Sequence, residues 1–572
     1  MCGIAGFNWA DRELIARMNH SIRHRGPDGE RTVVWDDFSL GHTRLTILDL
    51  TDHGNQPMAS DDDSLWITYN GEIYNHLALK DELSRKGHEF RSRTDTEVIL
   101  HCFAEEGTKC FSRFNGIFAF CLVDRKNSAA YLVRDRLGIK PLYFHVRDKR
   151  FIFSSEIKAF REAGDGLFIM DEHAVLEYFL TMNISSESFF APIHSLEPAH
   201  YLRYDLRTNQ ATTHEYSSVF QWVTKERFSE NQRRREDELI DELDALLNKI
   251  VKDQLMADVP VGTICSGGVD SSLLTAIAKK YSSDLKIFNV RVGDGIYDES
   301  KYAGMVARHL GLRLIEEDLD QKAFLDHYRK CIELSDLPLI HPNAVGIFLI
   351  SRKAKTEGIK VLLSGEGADE LFGGYPKYKT FYARARMERF PLYRTALKRM
   401  GVLRQEKSFA RYLIEDGMEI IHRYGALPWT HYREKIQQRF LEKLSFVRGE
   451  AQKETLAFML KDLKYYLMPI LLRADRMSMG AGLEMRVPFL DHRMVDFAVN
   501  LPLARKIGIF QTKRLLKKVA ERYLPREIVY RKKMGFLLPA EKWLQTDDVR
   551  KHMFSEWKKI NGSDWDITLA ES

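Results

Sequence analysis

Val259-Pro260-Val261-Gly262-Thr263-Ile264-Cys265-Ser266-Gly267-Gly268-Val269-Asp270-Ser271-Ser272 carries an apolar run into a Gly-Gly turn and then into the start of an apolar helix. A strand that turns into a helix N-terminus aims backbone N–H groups and the positive end of the helix dipole at one point, which makes an anion site. Hydroxyls at Ser266, Ser271 and Ser272 add donors suited to phosphate oxygens. The spacing and the Gly-Lys-Ser/Thr ending of a Walker A loop are absent, so this phosphate site is of another kind. Downstream, helix and strand patterns alternate through Ser271–Tyr281, Lys286–Val292, Lys301–Leu310, Arg313–Glu317, Ala344–Lys355 and Ile359–Ser364. That rhythm predicts a doubly wound parallel sheet with helices on both faces, followed by a largely helical C-terminal part. The last of these runs ends in a second polar, Gly-rich segment, Ser364-Gly365-Glu366-Gly367-Ala368-Asp369-Glu370-Leu371-Phe372-Gly373-Gly374-Tyr375. Carboxyl ends of strands are where α/β sheets take ligands.

Upstream the pattern differs. Residues 1–205 read as many short strands, among them Leu65–Tyr69, Gly116–Val123, Tyr131–Val133 and Phe151–Ser154, with helical patterns at Asn75–Lys86 and Thr96–Glu106. Strands with a few helices laid on them predict a layered α+β sandwich. The polar, charged stretch 206–236 reads as a linker. After it, Leu239, Ile240, Leu243, Leu246, Leu247 and Ile250 mark an amphipathic helix. The expected organisation is therefore an α+β domain over 2–205 and an α/β domain over 237–572.

A chain of 572 residues is too long for a single core. Its net charge of +5 is small, and the runs Arg233–Arg235 and Arg531–Lys533 form no basic stripe, so no nucleic-acid partner is expected. The six cysteines include no C-x-x-C pair, which argues against a disulfide framework or a zinc site and fits a reducing cytoplasm. The start lacks the pattern of a signal peptide, and no apolar run is long enough for a membrane span. A soluble cytoplasmic protein is the expectation.

Cys2 follows the initiator Met, and removal of Met1 would leave a cysteine with a free α-amine. That amine titrates near pH ~8, so nucleophile and base would sit on one residue. Alone, a cysteine so placed is more often inert. Around it, however, Met1-Cys2-Gly3-Ile4-Ala5-Gly6, Arg23-His24-Arg25-Gly26-Pro27-Asp28, Arg44-Leu45-Thr46-Ile47, Asn70-Gly71-Glu72-Ile73-Tyr74-Asn75 and Thr94-Asp95-Thr96-Glu97 occur in one order. Together they closely resemble the glutaminase domain of class II glutamine amidotransferases, the N-terminal-nucleophile (Ntn) type. The resemblance implies an Ntn-type αββα glutaminase sandwich in which Cys2 attacks the side-chain amide of glutamine, forms a thioester and releases ammonia. It assigns the Asn70 side chain and the Gly71 backbone N–H to the oxyanion, which needs donors fixed in advance. A glycine at 71 would let the backbone approach the substrate. Arg44 suits the carboxylate of glutamine, and Asp95 and Glu72 suit its ammonium. Arg25-Gly26-Pro27-Asp28 reads as a turn that builds a wall rather than as chemistry.

Ser266–Ser272 and Ser364–Tyr375 together resemble the ATP pyrophosphatases that make acyl-adenylates. The resemblance implies ATP held by Ile264, Ser266, Gly267, Gly268, Asp270, Ser271, Ser272, Val290, Ser364 and Gly365, with Ile264 and Val290 beside the nucleoside. Asp270 and Asp369 would hold Mg²⁺ against the phosphates as hard oxygen ligands. Glu366 would act near the acyl-adenylate, and Lys533 would stabilise charge as pyrophosphate leaves. Arg473–Met479 and Leu483–Asp491 complete the match and read as domain packing.

Both halves, in this order, resemble glutamine-dependent asparagine synthetase. The implied reaction takes aspartate, glutamine and ATP to asparagine, glutamate, AMP and pyrophosphate through a β-aspartyl-adenylate, with ammonia crossing a sheltered passage between domains. Amidation of another carboxylate, such as a sugar uronic acid in polysaccharide biosynthesis, is the alternative. The expected partners are the small-molecule substrates glutamine, ATP and aspartate, without nucleic acid or membrane; a homodimer stays open. Ile332–Asn343 would border the acceptor pocket but supplies no cation for the α-carboxylate of aspartate, whereas His341 and Asn343 would suit the hydroxyls of a larger acceptor.

Overall fold

A computed structural model describes residues 2–181, 183–387, 428–508 and 511–561. The first part runs through β1 (Gly3–Phe7), β2 (Gly29–Val34), β3 (Ser39–Arg44), β4 (Met58–Ala59), β5 (Leu65–Ile73), β6 (Gly116–Asp124), β7 (Ala129–Arg134), β8 (Tyr143–Arg147), β9 (Arg150–Ser154), β10 (His194–Ser195), β11 (His200–Asp205) and β12 (Gln210–Glu215). These strands form two six-stranded sheets, β10-β8-β9-β1-β3-β2 and β12-β11-β7-β6-β5-β4. Neighbours in both are antiparallel.

Alternation along β6 shows how the layers arise. Phe118, Phe120 and Leu122 face one way, against Leu79, Val98 and Ile99 of the helices His76–Arg85 and Asp95–Glu106. Ala119, Cys121 and Val123 face the other way, against Ile4, Leu40 and Phe153 of the first sheet. Both faces of the strand are buried, so it reads as one unbroken apolar run. The helix Arg12–Ser21 covers the far side of the first sheet with Leu14, Ile15 and Met18. The order helix, sheet, sheet, helix is the αββα sandwich.

The second part holds β13 (Val261–Ile264), β14 (Lys286–Val292), β15 (Leu314–Leu319), β16 (Val361–Leu363) and β17 (Glu484–Arg486). They form a parallel sheet in the order β15-β14-β13-β16-β17. Helices Glu236–Gln254, Val269–Tyr281 and Ser300–Leu310 cover one face. Helices Gln321–Ser335, Ala344–Thr356 and Leu467–Gly480 cover the other. Further helices, including Pro428–Lys443, Glu450–Lys464 and Val549–Asn561, make the C-terminal part. The sheet grows from β13 to β14 and β15, then returns to add β16 on the other side of β13. This reversal opens a crevice at the carboxyl ends of β13 and β16, where Ser266–Ser272 and Ser364–Glu370 lie.

One expectation needs correction. The stretch 206–236 is not an open linker: β12 pairs along β11, and the Tyr216 hydroxyl donates to the Arg134 carbonyl at 2.8 Å. Helices Val219–Trp222 and Lys225–Arg233 then bury Val219, Phe220 and Phe228. Every residue of β12 is exposed, as suits the edge of a sheet, and this gave the segment its linker-like polarity.

Candidate functional site

Cys2 lies just before β1 and is buried. Its N–H donates to Asn70 Oδ1 at 3.1 Å, Arg25 Nε donates to its carbonyl at 3.2 Å, and the Gly3 N–H donates to Thr43 Oγ1 at 3.0 Å. Three side chains from separate elements thus hold the backbone of the candidate nucleophile. Asn70 Nδ2 is buried with no hydrogen-bond partner among the described residues. Burial pushes the Cys2 thiol above its ordinary value, while the amino terminus, the Leu45 N–H and Arg44 pull the other way.

Cys2, Arg44, Gly71, Glu72 and Asp95 line one cavity together with Gln56, Tyr69 and Thr94. Arg44 is cradled by the loop after β3: it donates to the Thr51 carbonyl at 2.9 Å, to Asn55 Oδ1 at 2.8 Å and to the Asp49 carbonyl at 2.5 Å. Asp95, in the first turn of its helix, accepts from the Tyr69 hydroxyl at 2.6 Å and the Ile73 N–H at 2.8 Å. Burial raises its carboxyl.

Two of these residues have further neighbours that the sequence does not reveal. Glu72 Oε2 accepts from Arg486 Nη2 at 3.0 Å, an ion pair with β17 of the second domain, while its Oε1 is buried without a hydrogen-bond partner among the described residues. Burial, then Asp95, lifts this carboxyl well above the usual range, against the pull of Arg486. Gly71 owes its size to a neighbouring strand: a Cβ there would stand 2.2 Å from the Ile117 carbonyl oxygen and 2.6 Å from Phe118 Cα. The close approach that the structure shows is to β6.

At the second crevice, Gly267 adopts a positive φ of 72°, and a Cβ there would lie 2.4 Å from Tyr302 Cβ. Only glycine suits such a turn. The Ser266 N–H donates to Ser271 Oγ at 3.2 Å, and the Gly268 N–H approaches Ser266 Oγ at 3.4 Å, so the loop braces itself with its own hydroxyls. Ser272 does not join them: it is fully buried, its hydroxyl 3.7 Å from Cys265 Sγ, because the first inward turn of the helix carries it into the core. Ile264 ends β13 beside this loop, and Val290 lies near the carboxyl end of the neighbouring strand β14. The Ser364 N–H donates to the Arg486 carbonyl, and Gly365 passes so close that a Cβ would be 3.2 Å from the Ser271 nitrogen.

The lysine Lys513, which no motif singled out, ties this crevice together. It is buried and ion-pairs with Asp270 and, at 2.7 Å, with Asp369. Burial alone would lower its ammonium, but the two carboxylates outweigh that and raise it. Its φ of 53° is left-handed, an uncommon setting for a residue other than glycine. Lys533 also pairs with Asp369 and stands 4.8 Å from the ring centre of Tyr375. Arg531, also missed, grips the back of the loop by donating to the Gly267 carbonyl at 2.7 Å.

Residues 242–560 match the asparagine synthase family, and residues 1–217 match a glutamine amidotransferase domain. Glutamine-hydrolysing asparagine synthetase 1 of Bacillus subtilis is 32% identical, covering 97% of this chain and 89% of its own. This chain belongs to the asparagine synthase family. Asparagine synthetase 3 of the same organism is 31% identical over 94% of this chain and 87% of its own. Amidase chyE of Penicillium rubens is 26% identical over 95% and 89%. For a member of this family ATP is the implied nucleotide. Among the described residues no helix is long and apolar enough to cross a membrane.

The family segments that read as domain packing carry the ion pairs between the domains. Asp475 pairs with Arg25 at 2.8 Å and Lys140 at 3.1 Å, and Arg476 pairs with Glu156 at 2.8 Å. Arg486 pairs with both Glu72 and Glu484. Arg25 therefore serves as more than a wall, since it joins the Cys2 carbonyl to the second domain.

Proposed function

We propose that this asparagine synthase family member is a glutamine-dependent asparagine synthetase, with a glutaminase domain ending near Glu215 and a synthetase domain beginning near Glu236. The observation that carries the reading is the 3.0 Å pair between Glu72 and Arg486. It joins the Cys2 cavity to β17, the strand beside β16, whose carboxyl end leads into Glu366.

In this reading Cys2 attacks the glutamine amide while the α-amine freed by removal of Met1 takes the thiol proton. Asn70 Nδ2 and the Gly71 N–H meet the oxyanion. Arg44 takes the carboxylate of glutamine, and Asp95 and Glu72 its ammonium. In the second crevice the Ser266–Ser271 loop, Ser364 and Gly365 bind ATP, with Ile264 and Val290 against the nucleoside. Lys513 and Lys533 balance charge as pyrophosphate leaves, and Glu366 acts beside the acyl-adenylate. Asp270 and Asp369 suit Mg²⁺, which takes a carboxylate or two and fills its shell from phosphates. Asp270 Oδ1 is buried without a hydrogen-bond partner among the described residues, and both carboxylates already converge on one cation, Lys513. When bound, Mg²⁺ would neutralise the β- and γ-phosphates. The six cysteines are all unbridged, which supports a reducing cytoplasm as the place of action.

The test is purified enzyme with glutamine, ATP, Mg²⁺ and aspartate, scored for asparagine, AMP and pyrophosphate. Absence of asparagine, with no stimulation of pyrophosphate release by aspartate, would exclude aspartate as acceptor. ADP and phosphate as products would replace the acyl-adenylate with an acyl-phosphate.

A further inference from the structure

We propose that Tyr375 is a positioning residue for Lys533, the face of its ring holding the lysine ammonium beside Asp369. The proposal rests on the acyl-adenylate reading of the second crevice, in which Lys533 balances charge as pyrophosphate leaves.

Local sequence places the ring. The helix Ala368–Phe372 ends at Gly373, whose φ of 73° is left-handed, and Pro376 opens the next helix, Pro376–Met387. Between them Gly374 passes so close to the crevice that a Cβ would stand 1.8 Å from Asp369 Oδ1 and 2.2 Å from Lys513 Cε. Only a Gly-Gly turn permits so tight a return, and it carries Tyr375 back to the carboxylates. The Tyr375 hydroxyl donates to Oε1 of the buried Glu370 at 2.6 Å. Its ring also meets the ring of Tyr466 edge to face, with the centres 5.9 Å apart. The ring is thus fixed by its hydroxyl and by a neighbouring aromatic side chain.

Lys533 needs such a holder. Its side chain is 36% exposed, and a lysine is a hydrated point charge on a flexible stem. An ion pair in contact with water holds such a group weakly. The carboxylate it pairs with, Asp369, is shared with the buried Lys513 and, in the proposed function, with Mg²⁺. The ring centre of Tyr375 lies 4.8 Å from Lys533 Nζ, within the range in which an aromatic face attracts a cation. That attraction does not draw on Asp369, so it keeps the ammonium in place when other cations claim the carboxylate. A second lysine, Lys377, stands 5.2 Å from the same ring centre. It ion-pairs with Asp462 at 2.5 Å and lies 5.0 Å from the ring centre of Phe458, both on the helix Glu450–Lys464. Lys377 therefore fastens one helix to another, and Lys533 is the cation that this ring presents to the crevice.

The test uses the full-length protein carrying Tyr375→Phe, and the same protein with one, two or three fluorines on the new ring. Fluorination keeps the shape of the ring while weakening, step by step, the pull of its face on a cation. The rate of pyrophosphate release in a single turnover with ATP, Mg²⁺ and aspartate should fall stepwise by about 10-fold across the series, the scale of a cation–π contact shielded from water. The Kd for ATP should stay within about twofold, because the contact is with the lysine and not with the nucleotide. Acetylation of Lys533 by acetic anhydride, followed by mass spectrometry without substrates, should quicken by about threefold, because a weaker hold on the ammonium leaves more free amine. A flat series in either measurement overturns the proposal. So does a loss confined to Tyr375→Phe with no further fall on fluorination, which would make the bond to Glu370 the working contact. If the unsubstituted enzyme releases no pyrophosphate with aspartate, the aspartate reading fails separately, and the acetylation series alone decides whether Tyr375 holds Lys533.

Discussion

Asn70 divides one amide between two tasks. Its Oδ1 holds the N–H of Cys2 at 3.1 Å, which leaves Nδ2 as a buried donor without a partner among the described residues. The thiol beside it is raised by burial, so it depends on a base to become a nucleophile at neutral pH. Cys2→Ala removes the thiol and nothing that the second crevice uses. If the proposed function holds, asparagine formation from glutamine should disappear, while formation from high ammonium chloride stays within about twofold of wild type, because the proposed acyl-adenylate needs only ammonia. Assaying both nitrogen donors side by side checks this, and a variant that still hydrolyses glutamine at the original rate would end the assignment of Cys2. The thiol, Arg44 and Asp95 were legible because each belongs to a short contiguous motif. The pairing of Glu72 with a strand 414 residues away was not.

At the scale of elements, β5 and β6 come close enough to demand glycines. A Cβ at Gly71 would press 2.2 Å from the Ile117 carbonyl, and one at Gly116 would press 2.1 Å from the Glu72 carbonyl. Backbone atoms on both sides cannot rotate away as a flexible side chain would. Gly71→Ala should therefore destabilise the protein by about 1–3 kcal/mol, as overpacking does, and shift Asn70 with it. A lower denaturant midpoint together with weaker glutamine hydrolysis is the expected result; unchanged stability would show that β5 and β6 can part at no cost. The segment 206–236 has the polarity of a linker for a different reason. A strand at a sheet edge with every residue exposed has the composition of a linker, and only its pairing with β11 reveals it.

Across the whole molecule, the domains meet through buried charge. Arg486 has no side-chain exposure and serves Glu72 from the first domain and Glu484 from its own strand. Arg486→Met would leave Glu72 buried without this cation, a change that typically costs about 3–5 kcal/mol. We expect a lower unfolding temperature and, because Glu72 lines the Cys2 cavity, more glutamine hydrolysed per asparagine made. Glutamate and asparagine measured in the same reaction check this, and an unchanged ratio at unchanged stability would show that the pair does not couple the sites.

Fold class and the segments that make the candidate sites could be read from the chain because they are local. A strand, a Gly-rich turn and a helix are contiguous, the motifs around Cys2 follow one order, and a parallel sheet binds ligands at its carboxyl ends whatever surrounds it. Partners of buried charges are not local. Lys513 reaches Asp270 across 243 residues, Arg473 reaches Glu366 across 107, and Arg486 reaches Glu72 across 414. Each pair forms because folding removes two distant groups from water together, and a buried charge must then find its counter-charge wherever the chain has carried it.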